Sequence, residues 1–281
     1  MNEQQLRKQL IEAQLAAVQQ HHPIISCLRE AEKCTNFSTA PVYIDETLIK
    51  DSIQLLKRAI QHETAAQYEL GHLYRGLDLM TLSACCFQCA SDQGYLAATY
   101  WLGNLYYEGL GVEENIQRAF DCYEYAAKRG LADAMNNYAD MHFRGETVPQ
   151  NDEIAHHWFR KAAMLGVSEA MFTMGYMFEK GVGVEADADQ SIYWFEQSAM
   201  HGDLYAANYL GHKAMQRGEF DKAFIWYLQA AEGQDVEGEY NVGFCYEEGV
   251  GVGQNLQKAK YWYQRAALQG DDQAKEKLSR F

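Results

Sequence analysis

Apolar positions along the chain recur at the spacing of one helix face. Ala98, Leu102 and Tyr106 stand at i, i+4 and i+8, which places them on a single stripe of an α-helix. A glycine-rich connection at residues 109–115, GLGVEEN, follows this stripe and suits a helix end and a tight turn. A second helical segment then carries Tyr123 in its aromatic position. Each unit of the pattern therefore predicts two antiparallel helices.

The same pattern occurs six times. The residue that follows the central apolar residue of the first helix falls at positions 71, 103, 139, 175, 211 and 243, so the steps are 32, 36, 36, 36 and 32 residues. This residue is Gly in five copies and Ala139 in the third. The two shorter copies lose four residues in the connection and keep both helices, as expected when the loop is expendable. Six copies at this period predict a solenoid of helix pairs.

The full motif, L-G-x-x-Y-x-x-G-x-G-V-x-x-N/D-x-x-K-A-x-x-W-Y-x-x-A-A-x-x-G, resembles the Sel-one-like repeat, a relative of the tetratricopeptide repeat. The resemblance covers about residues 65–270. It implies an all-α fold: an α/α right-handed superhelical solenoid of about six helix-turn-helix repeats with helical caps. It also implies the function of most members of that family, which are protein-binding scaffolds and adaptors.

Three segments follow from this interpretation. We place an N-terminal helical cap with a degenerate repeat at residues 1–62 and a C-terminal capping helix at residues 271–281. Within the N-terminal cap, an amphipathic helix at 2–20 precedes the two helices of the degenerate repeat, at 24–34 and 51–62, with an irregular loop at 34–41. The six repeats are placed at about 63–94, 95–130, 131–166, 167–202, 203–234 and 235–270.

The formal net charge of −15 narrows the range of partners. It argues against nucleic acid, because phosphate binding needs a basic surface, and against anionic membrane surfaces. The first twenty residues contain Glu3 and Glu12 and do not resemble a signal peptide, and no segment approaches the roughly 18 apolar residues of a membrane-spanning helix. We therefore expect no membrane insertion and a cytoplasmic location.

Candidate catalytic and metal-binding residues are few. The glycines of the connections follow a helix rather than a strand, so we interpret them as turn residues and not as a phosphate loop. Cys85 and Cys89 share a helix face and could ligate a metal, but no second ligand pair accompanies them, so buried, reduced thiols are the favoured interpretation. His156 and His157 point about 100° apart on a helix, which does not suit one metal. We predict no catalytic residue, no metal and no cofactor.

An enzyme is the alternative to a binding protein. Some Sel-one-like proteins with a cysteine pair in every repeat are described as β-lactamases, so the resemblance leaves open a hydrolase of β-lactam or cell-wall-like substrates. This chain departs from that group, since its seven cysteines are irregularly spaced and it has no Ser-x-x-Lys motif. We therefore predict that it is not an enzyme.

The repeat register predicts which side chains of the first helices face away from the core. Positions two before, two after and five after the central apolar residue are rotated about 140–200° from it. In related repeats this face lines a concave groove. Together with the neighbouring Glu108, the candidate partner-binding residues are Tyr68, His72, Tyr100, Asn104, Tyr107, Glu108, Asn136, Asp140, Phe143, Phe172, Tyr176, Glu179, Asn208, His212, Met215, Tyr240, Phe244 and Glu247.

Many of these residues are aromatic, and two interpretations are open. They can anchor a partner, or they can pack between successive first helices and be largely covered. We predict an acidic, aromatic-lined concave groove that binds a protein or peptide with a basic and apolar segment, with the Asn side chains suited to backbone amides. The function is then that of an adaptor or regulator, or of a cognate toxin inhibitor, which is an immunity protein.

Overall fold

The computed structural model describes residues 2–18, 20–34 and 37–281, and every regular element in these ranges is a helix. The chain divides into two compact units, Met1–Gln150 and Asn151–Phe281. The first unit contains α1 Glu3–Ala17, α2 Pro23–Glu32, α3 Glu46–Ala59, α4 Thr64–Gly76, α5 Met80–Asp92, α6 Leu96–Glu108, α7 Ile116–Ala127 and α8 Ala132–Arg144. The second contains α9 Asp152–Met164, α10 Ser168–Lys180, α11 Ala188–Met200, α12 Leu204–Gln216, α13 Phe220–Glu232, α14 Val236–Glu248, α15 Leu256–Leu268 and α16 Asp272–Leu278.

Helix pairs are the building block of each unit, as the periodicity predicts. In the first unit α4 packs on α5 and α6 on α7, and each second helix packs on the next first helix. In the second unit α10 packs on α11, α12 on α13 and α14 on α15, and α16 covers α15. The all-α fold class and its repeated helix pairs are thereby confirmed.

The glycine of the first helix permits close packing within a pair. A Cβ added at Gly103 would lie 2.8 Å from a ring carbon of Tyr123, and one added at Gly71 would lie 2.6 Å from a ring carbon of Phe87. Phe87 and Tyr123 are both buried. The glycine in the first helix and the aromatic residue in the second are therefore two halves of one contact.

Capping groups determine where the helices begin and end. Asn115 precedes α7 and accepts a hydrogen bond at 2.9 Å from the Arg118 amide, as an N-cap does. Gly109 follows α6 with φ 66°, which is the left-handed conformation that glycine adopts most easily. Both residues belong to the glycine-rich connection that the sequence pattern marks as a turn.

The N-terminal segment packs differently from the expected helix pair. The two helices of the expected degenerate repeat are present, but α2 packs on α1 and α5, whereas α3 packs on α1 and α4. The reason is α1, whose buried Leu10 and Ile11 join the same core as α3 and α4. Within the expected loop at 34–41, residues 35 and 36 lie outside the described residues.

A buried arginine connects α1 to the first repeat. The Arg7 side chain is fully buried and donates hydrogen bonds to the carbonyl oxygens of Leu77 at 2.6 Å, Ser38 at 2.7 Å and Ala40 at 3.1 Å. Leu77 belongs to the short connection of the first repeat, which lacks the glycine-rich loop. The guanidinium therefore joins α1 to the carbonyl group of Leu77, just after α4, and to those of Ser38 and Ala40 in the segment before α3.

Candidate partner-binding surface

Tyr68 and His72 of α4 are half-buried between neighbouring helices. Their ring centroids lie 4.5 Å apart, and the His72 ring lies 5.1 Å from Phe87 and 5.0 Å from Trp101 of the next first helix. Burial, assisted by the Arg75 guanidinium, lowers the pKa of His72. For these two residues the packing interpretation describes the structure better than the binding interpretation.

Asn104 of α6 is the centre of a hydrogen-bonded amide cluster. Its Oδ1 accepts from the Tyr123 hydroxyl at 2.7 Å and from Nδ2 of Asn137 at 3.3 Å. Asn136 donates from Nδ2 to Oδ1 of Asn137 at 3.3 Å. Its own Oδ1 is buried and accepts no hydrogen bond from the described part of the chain. Asn137 was outside the register positions used above, and the adjacent Asn-Asn pair was the signal that could have identified it.

A surface cavity of about 260 Å³ lies beside this cluster in the first unit. We call it the α6–α8 cavity, and its lining consists of Asn104, Tyr107, Glu108, Tyr123, Asn137, Asp140, Met141 and Arg144. Four of the predicted residues are thereby brought together: Asn104, Tyr107, Glu108 and Asp140. Glu108 is exposed and the other three are half-buried.

Charge in the α6–α8 cavity is partly compensated. Asp140 forms an ion pair with Arg144 at 2.9 Å, and the Tyr107 hydroxyl donates to Glu146 at 3.3 Å. Burial raises the pKa of Asp140 even though Arg144 opposes the shift. No ion pair of Glu108 is found among the described residues, so its exposed carboxylate is an accessible negative charge at this cavity. The two remaining predicted residues of the first unit, Tyr100 and Phe143, are half-buried.

In the second unit, Phe172 and Tyr176 of α10 differ in exposure. The Phe172 ring packs against Phe195 at 5.0 Å and against Tyr205 and Tyr209 of the next first helix at 5.1 and 5.8 Å. Tyr176 is 39% exposed. Tyr176 is thus the more accessible side chain of the two.

The prediction that Asn208 faces a partner is not supported by its surroundings. Its side chain is 2% exposed, and Nδ2 donates at 2.6 Å to Asp235, the N-cap residue of α14. The following repeat covers this position, so Asn208 links two repeats instead of presenting an amide to solvent.

Glu179 and Glu247 are likewise engaged within the unit rather than forming a free acidic rim. Glu179 accepts from the Tyr209 hydroxyl at 2.6 Å and from Lys213 at 2.5 Å. Burial opposes ionisation, but the hydrogen bonds from Lys213 and Tyr209 outweigh it and hold the pKa of Glu179 below its ordinary value. Glu247 repeats the arrangement, accepting from Tyr263 and Lys277, each at 2.6 Å. Each carboxylate is neutralised by a lysine of the next first helix.

The last four predicted residues lie on the first helices α12 and α14. His212 is exposed and bridges two repeats, with Nδ1 2.8 Å from the Tyr227 hydroxyl and Nε2 2.8 Å from Glu237. Met215, Tyr240 and Phe244 are half-buried, and the Tyr240 ring lies 5.5 Å from that of Tyr263. The aromatic lining predicted for the groove includes Tyr100, Tyr107, Phe172, Tyr176, Tyr240 and Phe244 from both units, and it stays a prediction.

The structure also bears on metal and membrane binding. No group of three His, Cys, Asp or Glu side chains among the described residues is arranged to hold a metal ion. In the same ranges, no helix combines the length and the apolar character that crossing a membrane requires.

The stacked helix pairs, with a glycine in one helix against an aromatic ring in the other, define a class of α-helical repeat proteins, and comparison with known families identifies the class. The model of the Sel1 repeat matches residues 64–81, 96–131, 132–167, 168–203, 204–235 and 236–271. The chain therefore belongs to the Sel1 repeat family. Proteins of this family typically mediate protein–protein interactions and are generally non-catalytic scaffolds.

Similar proteins come from bacteria and fungi. A protective antigen of uropathogenic Escherichia coli with an SLR fold is 30% identical, with a TM-score of 0.70 over 81% of this chain and 50% of that one. A Sel1 repeat protein from Oxalobacter formigenes is 28% identical, with a TM-score of 0.63 over 76% of this chain and 86% of that one. The chitin synthase regulator SKT5 of Malassezia restricta is 40% identical over 58 residues, which are 21% of this chain and 4% of that protein. The chain thus spans a small part of this curated relative.

Proposed function

We propose that the protein is a non-catalytic binding scaffold and that the α6–α8 cavity is part of the surface that holds its partner. The observation that carries the proposal is the convergence of amide, phenol and carboxylate groups at one open cavity on the first helices. Membership of a family of interaction proteins supports the same conclusion.

The amide cluster suits an extended peptide segment. Asn104 uses its Oδ1 for Tyr123 and Asn137, and no hydrogen bond from its Nδ2 is found within the described residues. A peptide backbone offers a carbonyl acceptor at every residue, so it can accept a hydrogen bond from Nδ2 of Asn104.

The charge of the surface indicates a basic and apolar partner segment. Glu108 is exposed, and the whole chain has a net charge of −15. A cationic side chain of the partner would approach Glu108 with favourable long-range electrostatics, while Tyr107 offers an apolar ring. Glu108 lies in the first unit, whereas Glu179 and Glu247 are already paired with lysines.

Two versions of the binding function stay open. One is an adaptor or regulator, a role that the name of the chitin synthase regulator also describes for that relative. The other is a cognate toxin inhibitor, for which the acidity of the chain is the supporting feature. A toxin gene beside this gene would favour the inhibitor.

The experiment compares two cavity variants with a matched control in the same unit. Tyr107→Ala and Glu108→Lys change the α6–α8 cavity, whereas Tyr125→Ala removes a tyrosine that is 39% exposed on the second helix α7. The partner is isolated by affinity capture, and its binding to each variant is measured by calorimetry.

We expect Tyr107→Ala to weaken binding by about 2 kcal/mol, which is roughly 30-fold, as at an interface hot spot. Glu108→Lys should mainly slow association and reduce its dependence on salt. Normal binding by both cavity variants, with loss of binding in Tyr125→Ala, would move the functional surface to the second helices. Hydrolysis of a β-lactam or a peptidoglycan fragment by the purified wild-type chain would instead support the enzyme alternative.

A further inference from the structure

Three cysteines from two distant parts of the chain meet in the first unit. Sγ of Cys27 in α2 lies 2.6 Å from Sγ of Cys85 in α5, and the Cys85 thiol also forms a hydrogen bond with Cys89 one helical turn later. All three are free thiols and half-buried. The sequence indicated Cys85 and Cys89 as a local cluster, but the contact with Cys27 depends on the packing of α2 against α5.

Cys27 is reachable from solvent. It lines an open cavity of about 1020 Å³ between α2 and the start of α5, together with the exposed Cys34. Cys86, by contrast, is fully buried. A reagent that enters the cavity therefore meets Cys27 with Cys85 directly behind it.

The surroundings also make Cys27 the more reactive thiol. A hydrogen bond from the Cys85 thiol stabilises the Cys27 thiolate and lowers the pKa of Cys27 to about 7, although burial opposes this shift. Burial raises the pKa of Cys122 and that of Cys245 to about 11. Because the thiolate is the nucleophile, Cys27 should react faster than Cys122 and Cys245 near neutral pH.

We propose that Cys27 and Cys85 form a thiol–disulfide exchange site, at which a low-molecular-weight disulfide such as glutathione disulfide oxidises them to a bond between α2 and α5. The Cys27 thiolate attacks one sulfur of glutathione disulfide, whose S–S bond breaks, and one glutathione leaves. The Cys85 sulfur then attacks Sγ of Cys27, the mixed disulfide breaks, and the second glutathione leaves with the Cys85 proton. Two cysteine thiols are oxidised, and one glutathione disulfide is reduced to two thiols.

The geometry requires little movement for this reaction. The two sulfurs are about 0.6 Å farther apart than the ~2.05 Å of a disulfide bond. The bond would connect residues 58 positions apart and would attach the N-terminal segment to the first repeat. A cross-link over such a span restricts the unfolded chain, so the oxidised protein should be the more stable form.

The test exposes the full chain to reduced glutathione and to glutathione disulfide, traps free thiols with N-ethylmaleimide and maps the peptides by mass spectrometry. We expect the number of free thiols to fall from seven to five in glutathione disulfide, with the Cys27 and Cys85 peptides joined. The oxidised chain should also unfold at a higher temperature. In the reduced chain at pH 7, Cys27 should be alkylated at least about a hundredfold faster than Cys122.

Two variants separate this reaction from non-specific oxidation. Cys85→Ser should stop the reaction at the mixed disulfide, so glutathione should accumulate on Cys27. Cys122→Ser changes a half-buried thiol elsewhere in the same unit and should behave like the wild type. Circular dichroism of the reduced variants checks that both are folded. The proposal is wrong if N-ethylmaleimide still alkylates Cys27 and Cys85 of the folded wild-type chain after exposure to glutathione disulfide, or if the disulfide bond joins other cysteines.

Discussion

Gly71 in the middle of α4 provides the sharpest test of how the helix pairs are held together. A Cβ at this position would lie 2.6, 2.7 and 3.1 Å from three carbons of the Phe87 ring, and Phe87 is fully buried. Gly76 is the last residue of the same helix, and a Cβ there would meet nothing within 4 Å. Gly71→Ala and Gly76→Ala are therefore chemically identical changes in one helix that differ in their surroundings.

The magnitude follows from two opposing contributions. Alanine is more favourable than glycine in a helix interior by up to about 1 kcal/mol. Overpacking a well-filled core costs about 1–3 kcal/mol, and a buried ring cannot move aside into solvent. We expect Gly71→Ala to lower the free energy of unfolding by about 1–2 kcal/mol, and Gly76→Ala to leave it unchanged or slightly higher.

Urea unfolding followed by circular dichroism measures both variants, with the midpoint as the main readout because the chain has two compact units. A double-mutant cycle adds the decisive comparison. In a Phe87→Ala background, which itself should cost about 3–5 kcal/mol, Gly71→Ala should no longer destabilise, since the ring is absent. Equal effects of Gly71→Ala in the two backgrounds, or stabilisation matching that of Gly76→Ala, would refute the reasoning.

Two further predictions concern the second unit. Phe195→Ala should lower the free energy of unfolding by about 3–5 kcal/mol, measured by thermal unfolding, because Phe195 is 3% exposed. Trp194→Ala should lower it clearly less, because the neighbouring Trp194 is only half-buried. Equal losses of stability in the two variants would contradict this assignment. The carboxyl of Glu179 has a lowered pKa in the folded chain, so its contribution to stability is complete above the ordinary value of 4.5 and is lost as the pH falls through the lower folded value. Urea midpoints measured between about pH 6 and pH 3 should therefore fall less steeply for Glu179→Gln than for the wild type, and identical profiles would show that the Lys213 contact contributes nothing.

The sequence by itself determined the repeating unit. The apolar stripe of each first helix, the glycine after its central residue and the aromatic position of the second helix follow from spacing, because side chains three and four residues apart share a helix face. The contact between Gly103 and Tyr123 lies within one repeat, so a local pattern is sufficient to predict that the two belong together. The N-cap at Asn115 and the helix end at Gly109 are local features for the same reason.

The candidate surface could be predicted only in part. The register placed Asn104, Tyr107 and Asp140 on the outer face of the first helices, and these three meet the neighbouring Glu108 at one cavity, whose role in partner binding stays a prediction. It failed for Asn208, because the angle of a side chain on its own helix does not say what the next repeat places over it.

Only the tertiary structure decided which polar groups are already satisfied and which distant residues meet. Glu179 is paired by a lysine 34 residues later, and Cys27 meets a cysteine 58 residues later. The packing of α2 on α5 follows from the way α1 fills the core beside α3, which no local pattern specifies. Helix periodicity encodes the direction of each side chain relative to its own axis, whereas burial and pairing depend on the helices that pack around it.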